Sequence, residues 1–274
     1  MKDQASRLRV LVSGEDLGLH IPQLCERFNE STRIIAVTSG KGGVGKTTVA
    51  VNLAMTLAEL SNRVLLVDAD LGLANVDVML GIESKRHIGH LLSTNVTAEE
   101  IAVDGPLGIK VISGGSGLKE LTDVSRRDRA VILRKLGMYC GNFDFVVVDT
   151  SPGIGRDVID FLDWADDLLL VTTTEPTSIK DTYAAFKMIT NEMPEKKVVI
   201  VVNSASPVQA DRAVHALNQV FNKFLSRECV DWLEIEQDNL IGRAVHARKP
   251  FVQTYPKSPA AGCIWRLADQ LVGV

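Results

Sequence analysis

Hydrophobic positions along this chain follow two alternating rhythms. Short unbroken apolar runs occur at Ile34–Thr38, Val64–Asp68, Ile109–Ile112, Phe143–Asp149, Leu168–Thr173 and Val198–Asn203, with a weaker run at Val230–Ile235. Continuous runs, as opposed to alternating ones, mark strands covered on both faces of a parallel sheet. Between them, the helical period appears over Lys46–Leu60, Arg126–Tyr139, Asp157–Trp164, Thr177–Asn191, Val208–Phe224 and Asn239–Ala247. Strand–helix alternation predicts one α/β domain with a doubly wound, mostly parallel sheet and right-handed crossovers. In such sheets ligands bind at the carboxyl ends of the strands. Residues 1–32 lack a strand pattern and carry Gly14, Gly18 and Pro22, which reads as a short helix and a linker. The expected division is therefore an N-terminal segment, 1–32, and a domain over 33–274. Near the end, Ile264, Leu267, Ala268 and Leu271 form one apolar stripe at helical spacing.

Composition narrows the class. The chain has 274 residues, enough for one α/β domain with a large core. Its net charge is −4, so no whole-molecule field favours nucleic acid, and direct nucleic-acid binding is not expected. Cys25, Cys140, Cys229 and Cys263 are scattered, without a CxxC pair, which fits buried thiols in a cytoplasmic protein. Met1–Gln4 shows no apolar signal-peptide region, and no run of about 18 apolar residues is present.

The chemistry concentrates after the first strand. Ser39-Gly40-Lys41-Gly42-Gly43-Val44-Gly45-Lys46-Thr47-Thr48 fits G-x-x-x-x-G-K-[ST] between a strand and a helix. Glycines let backbone N–H groups turn toward phosphate oxygens, and the helix N-terminus adds a favourable field. Lys46 is placed to hold the β- and γ-phosphates of ATP, and Thr47 to ligate Mg²⁺. Asp149 ends a strand where a second carboxylate beside the metal belongs. Asp68 and Asp70 end another. A single strand-end aspartate is more often a turn or cap residue, but three strand ends converging on one crevice argue for a site.

Lys41 adds something an ordinary phosphate loop does not need. With Lys-Gly-Gly-Val-Gly-Lys-Thr, the sequence resembles the MinD/ParA family of deviant Walker ATPases over roughly Arg33–Leu271. The resemblance implies an ATP-dependent homodimer in which Lys41 reaches the partner's phosphates. It also implies that Asp70, in Asp68–Asp77, orients the attacking water as part of switch I. Switch II would be Asp149-Thr150-Ser151-Pro152-Gly153, with Gly153 sensing the γ-phosphate through its N–H. Asn203, Asp238 and Glu175 fall at nucleotide-binding positions of the same family. Glu236 stands where that family usually has the proline of a Pro–x–Asp turn.

Two phrases are closer to one branch, the FlhG/FleN regulators of flagellar number and placement: Asp70–Gly81, and Glu175–Ile179 followed by Asp181 and Tyr183. A third, Asp3-Gln4-Ala5-Ser6-Arg7-Leu8-Arg9, resembles that branch's N-terminal element, which stimulates the signal-recognition-type GTPase FlhF. On residues alone, Asp3 can cap a helix with Ala5, Leu8 and Val12 on one face, and a disordered tail is the other reading. The branch further implies a flagellar switch protein or a transcription activator as partners. Family members often carry a terminal lipid-binding helix that attaches the ATP state to the inner face of the cell membrane. The stripe from Ile264 to Leu271 lacks the basic cluster an anionic surface needs, and it reads as a packing helix. Other relatives fit less well. Iron–sulfur carriers use a CxxC that is absent, and a DNA partitioner wants basic clusters for which only Arg243, Arg248 and Lys249 offer themselves. A division or partitioning ATPase, and a binding module with vestigial turnover, remain the alternatives.

Overall fold

The computed structural model describes residues 31–72, 74–115, 124–228 and 231–273. The expected docking residues Asp3, Gln4, Ala5, Leu8 and Arg9 lie outside them. Eight strands form one sheet: β1 (Arg33–Thr38), β2 (Val64–Ala69), β3 (Val103–Asp104), β4 (Lys110–Ile112), β5 (Phe145–Thr150), β6 (Asp167–Thr172), β7 (Lys197–Asn203) and β8 (Trp232–Ile235). Their order is β3-β4-β2-β5-β1-β6-β7-β8. Every pairing is parallel except β3 with β4.

The apolar runs explain this arrangement rung by rung. Along β1, Ile35 and Val37 enter one core while Ile34 and Ala36 enter the other. Strands β2 and β5 divide the same way, Leu66 and Val147 on one side, Leu65 and Val146 on the other. A strand buried on both faces has no polar face to alternate with, hence the unbroken runs.

Ten α-helices are described: α1 (Lys46–Glu59), α2 (Val76–Leu80), α3 (Ala98–Ile101), α4 (Arg126–Cys140), α5 (Arg156–Trp164), α6 (Pro176–Glu192), α7 (Pro207–Leu225), α8 (Asn239–His246), α9 (Phe251–Thr254) and α10 (Pro259–Val272), with short 3₁₀ helices at Ile88–Leu92 and Pro106–Gly108. One layer holds α1 and α10; the opposite layer holds α4 and α5, continued by α6 and α7. Helix α1 is buried nearly all round, from Val49 to Leu57, so it lacks an exposed polar face. The C-terminal stripe packs as expected: Ile264, Leu267, Ala268 and Leu271 lie in the core with α1. Arg33 locks the end of α10 by donating to the Leu271 carbonyl while pairing with Asp167 at 2.6 Å.

The structure adds elements that the pattern did not predict. β3 spans two residues and α2, α3 and α9 four or five, too short to carry a period. β5 begins at Phe145, two residues after the expected start, because Phe143 and Asp144 turn back to Thr32 and Arg63.

Candidate functional site

Strand order reverses about β1, since β5 lies on one side and β6 on the other. The crevice opened there receives the loop Ser39–Thr48. Gly40 lies against α6 so closely that a Cβ would sit 2.2 Å from the Asp181 carbonyl oxygen. Gly45 has φ +91°, the left-handed region, and a Cβ there would meet the Asn203 amide at 2.3 Å. Only glycine meets both demands. Gly45 is also the N-cap of α1 and offers no side-chain acceptor, so the first N–H groups of α1 face the loop.

The floor of the crevice is a buried ion pair. Lys46 Nζ donates to Asp149 Oδ1 at 2.7 Å, with the two side chains 7% and 1% exposed. The Thr47 hydroxyl lies close enough to favour the charged form of Asp149. Asp149 Oδ2 is buried and has no hydrogen-bond partner, an expensive arrangement for a carboxylate. Burial raises this carboxyl above the usual range, while Lys46 pulls it down. An oxygen-seeking Mg²⁺ fits here. It is typically held by one or two carboxylates plus substrate phosphates, and Asp149 Oδ2 with the Thr47 hydroxyl offers such a donor set.

Register supplies a second carboxylate. Asp68 pairs with Asp149 across β2 and β5 and is fully buried. Burial and Asp149 push its carboxyl up to about 8, against the pull of backbone donors and Lys46. Those donors are the N–H groups of Asp70, Asn75 and Val76, at 3.0, 3.0 and 3.1 Å. Asp68 is thus the anchor of the turn leading into α2, which explains a helix that no propensity announces. Asp70 is partly buried, and its Oδ1 accepts from Gly72 N–H and from the Ser151 hydroxyl at 3.2 Å.

Lys41 lies in a different environment. Its side chain is 39% exposed and donates within the same chain, to Glu175 Oε2 at 3.2 Å and Thr177 Oγ1 at 3.0 Å. Gly153 N–H donates to the Ser39 carbonyl at 2.8 Å, so phosphate sensing through this group requires that bond to break. Asn203 stands at the end of β7 and donates to the Val44 carbonyl at 2.8 Å, bracing the loop. Asp238 caps α8 through Leu240 N–H at 2.9 Å, so the aspartate keeps a structural role although Glu236 replaces the expected proline.

The structure therefore brings Lys41, Lys46, Thr47, Asp68, Asp70, Asp149, Gly153, Glu175 and Asn203 to one crevice. Sequence reasoning included Ser151 in switch II and Thr177 in the phrase Glu175–Ile179 but gave neither hydroxyl a partner. Each is a hydroxyl whose partner is defined by register or helix placement, and neither carries a local signature.

A family model described as ParA, NUBPL iron-transfer P-loop NTPase, matches residues 30–272. The chain is similar to the antiactivator FleN of Pseudomonas aeruginosa, 37% identical over 230 residues, covering 84% of this chain and 82% of that protein. It is 32% identical over 277 residues to the flagellum site-determining protein YlxH of Helicobacter pylori, covering 99% and 91% respectively. The cell division ATPase MinD of Pyrococcus furiosus matches with a TM-score of 0.74 at 25% identity, over 88% of this chain and 98% of that one. The septum site-determining protein MinD complexed with Mg-ADP from Pyrococcus horikoshii shares the fold, with a TM-score of 0.73 at 24% identity, over 88% and 96%.

Proposed function

The chain belongs to the ParA/MinD family of P-loop NTPases, and on that premise we propose that it is a dimerising Mg-ATP switch that regulates flagellar number or placement. The observation that carries the reading is the division of labour between two lysines on one loop. Lys46 is buried against Asp149, whereas Lys41 waits at the exposed mouth on Glu175 and Thr177. A cis phosphate ligand belongs on the floor of the crevice; a residue that serves a second copy belongs at its rim.

The chemistry follows from placement. The N–H groups of the loop and of the first turn of α1 cradle the phosphates, and Lys46 exchanges part of its hold on Asp149 for the β- and γ-oxygens. Asp149 and Thr47 would hold Mg²⁺, whose charge would offset that developing on the transferring phosphoryl group. Asp70 orients water for in-line attack on the γ-phosphorus, with ADP leaving. Lys41 leaves Glu175 and reaches the phosphates of the second protomer, so hydrolysis removes the bridge and ends the dimer.

The names of the similar proteins, an antiactivator and a flagellum site-determining protein, support a flagellar output. In this reading Asp3, Gln4, Ala5, Leu8 and Arg9 dock the signal-recognition-type GTPase and stimulate it. Iron transfer is not part of the proposal, because the four cysteines include no CxxC pair. Among the described residues no helix is long and apolar enough to cross a membrane.

Calorimetric titration with Mg-ATP tests the nucleotide site. Lys46→Ala should weaken binding at least about 30-fold, the lower range for removing one member of a buried charged pair. Far-UV dichroism reports whether the variant remains folded. A folded variant with unchanged affinity contradicts the assignment. Deleting residues 2–12 should abolish stimulation of the partner GTPase and leave ATP hydrolysis intact; loss of both rejects the docking role.

A further inference from the structure

We propose that Ser151 is the positioning residue for Asp70, holding the water-orienting carboxylate in its working direction from across the sheet. The inference rests on the reading of Asp70 given above and deepens it.

The juxtaposition is a product of strand register. Asp68 stands opposite Asp149, and Ala69 opposite Thr150, in the parallel pairing of β2 with β5. One residue beyond the ladder on each strand stand Asp70 and Ser151, 81 positions apart in the chain, which meet through their side chains. Alternation along the strands gives Asp70 the face of Asp68, and Ser151 the face of Asp149. The ladder of backbone bonds ends at Ala69 and Thr150, and the side-chain bond from Ser151 Oγ to Asp70 Oδ1 at 3.2 Å continues it into the crevice.

A carboxylate is poorly oriented by its own torsions, because the terminal rotation of aspartate is broad and roughly two-fold. Two donors on one oxygen remove that freedom. Gly72 N–H donates to Oδ1 from switch I at 3.3 Å, and Ser151 Oγ donates to the same atom from switch II. Anchoring one oxygen fixes the direction in which the other points. Placing an attacking water demands this, since effective concentration depends on alignment to within fractions of an ångström.

The residue type fits the charge of the crevice. Asp68, Asp70 and Asp149 already converge there, and Lys46 is the buried cation among them. A further carboxylate would repel Asp70, and a further lysine would compete with Lys46 for phosphate. A hydroxyl restrains Asp70 with one donor and no charge. The neighbouring switch II residues are each tied down separately: Thr150 Oγ1 donates to the Val37 carbonyl and Gly153 N–H to the Ser39 carbonyl. Ser151 thus connects the segment that senses phosphate with the carboxylate that orients water.

The test measures steady-state ATP hydrolysis and equilibrium Mg-ATP binding in the full chain for wild type, Ser151→Ala, Ser151→Thr and Asp70→Ala. Ser151→Ala should lower kcat about tenfold or more, the expected cost of a misaligned attacking water. Its ATP dissociation constant and melting temperature should stay at the wild-type values. Ser151→Thr, which keeps the hydroxyl, should restore kcat. The inference is overturned if Ser151→Ala hydrolyses normally, if threonine fails to rescue, or if ATP affinity and melting temperature fall along with kcat. Asp70→Ala separates the two levels. If it hydrolyses at the wild-type rate, the underlying reading of Asp70 is wrong; if it is inactive while Ser151→Ala is normal, only the positioning role is lost.

Discussion

At the level of single residues, burial decides what each charge on the phosphate loop contributes. The Lys46–Asp149 pair is removed from water on both sides, so each partner depends on the other. The Lys41–Glu175 pair is solvated, with side chains 39% and 66% exposed, and such contacts contribute little to stability. Glu175→Gln should therefore change the unfolding free energy by no more than about 0.5 kcal/mol, measured by urea denaturation. A larger loss would mean that the contact is part of the fold and not a waiting position. Gly40→Ala is the contrasting case. Its Cβ would press on the Asp181 carbonyl, backbone that cannot step aside, so a destabilisation of about 1–3 kcal/mol is expected. Lys46 and Thr47 were legible in the sequence because the phosphate loop fixes their spacing, and Asp149 because it ends a buried strand, whereas Lys41 stood out only through the resemblance. Thr177 and Ser151 were not legible, because hydroxyls are common in first helical turns and in loops, and only folding reveals what they face.

Among the elements, the long ones were legible and the short ones were not. β1, β2 and β5 announce themselves because burial on both faces leaves no polar alternation. α2 owes its position to Asp68, whose carboxylate accepts the N–H groups of Asn75 and Val76. The apolar stripe of α10 is spent on the core, so Leu267→Ala should cost about 2–5 kcal/mol in thermal or chemical unfolding. A lipid-facing stripe would tolerate that change. The short 3₁₀ helix Ile88–Leu92 carries a pH dependence. His87 and His90 lie ring against ring, centroids 4.1 Å apart, and each Nδ1 accepts a backbone N–H. Burial and the His90 ring lower the His87 pKa below its ordinary 6.5. The folded state then prefers the neutral ring. Its contribution is complete above pH 6.5 and is lost as the pH falls through the lower folded value. Unfolding free energy should decline over that window. His87→Asn, which keeps a capping acceptor without titrating, should flatten the decline.

For the whole molecule, the doubly wound sheet collects the phosphate loop, Asp68, Asp70, Asp149, Glu175 and Asn203 at one edge, the carboxyl ends of β1, β2, β5, β6 and β7. The phosphate loop, Lys46, Thr47 and Asp149 all come from one chain, whereas Lys41 at the rim bonds Glu175 and Thr177, and in the proposed reading it leaves them for the phosphates of a second copy. The sequence predicted this architecture and its crevice; a second copy entered only through resemblance, because self-association leaves no periodic trace. The direct measurement is sedimentation velocity of the Asp70→Ala chain with Mg-ATP, with Mg-ADP, and with Lys41→Ala added to it. The account predicts a dimer with Mg-ATP, a monomer with Mg-ADP, and a monomer with Mg-ATP once Lys41 is removed. A chain that stays monomeric with Mg-ATP, or one that dimerises equally well without Lys41, would contradict it.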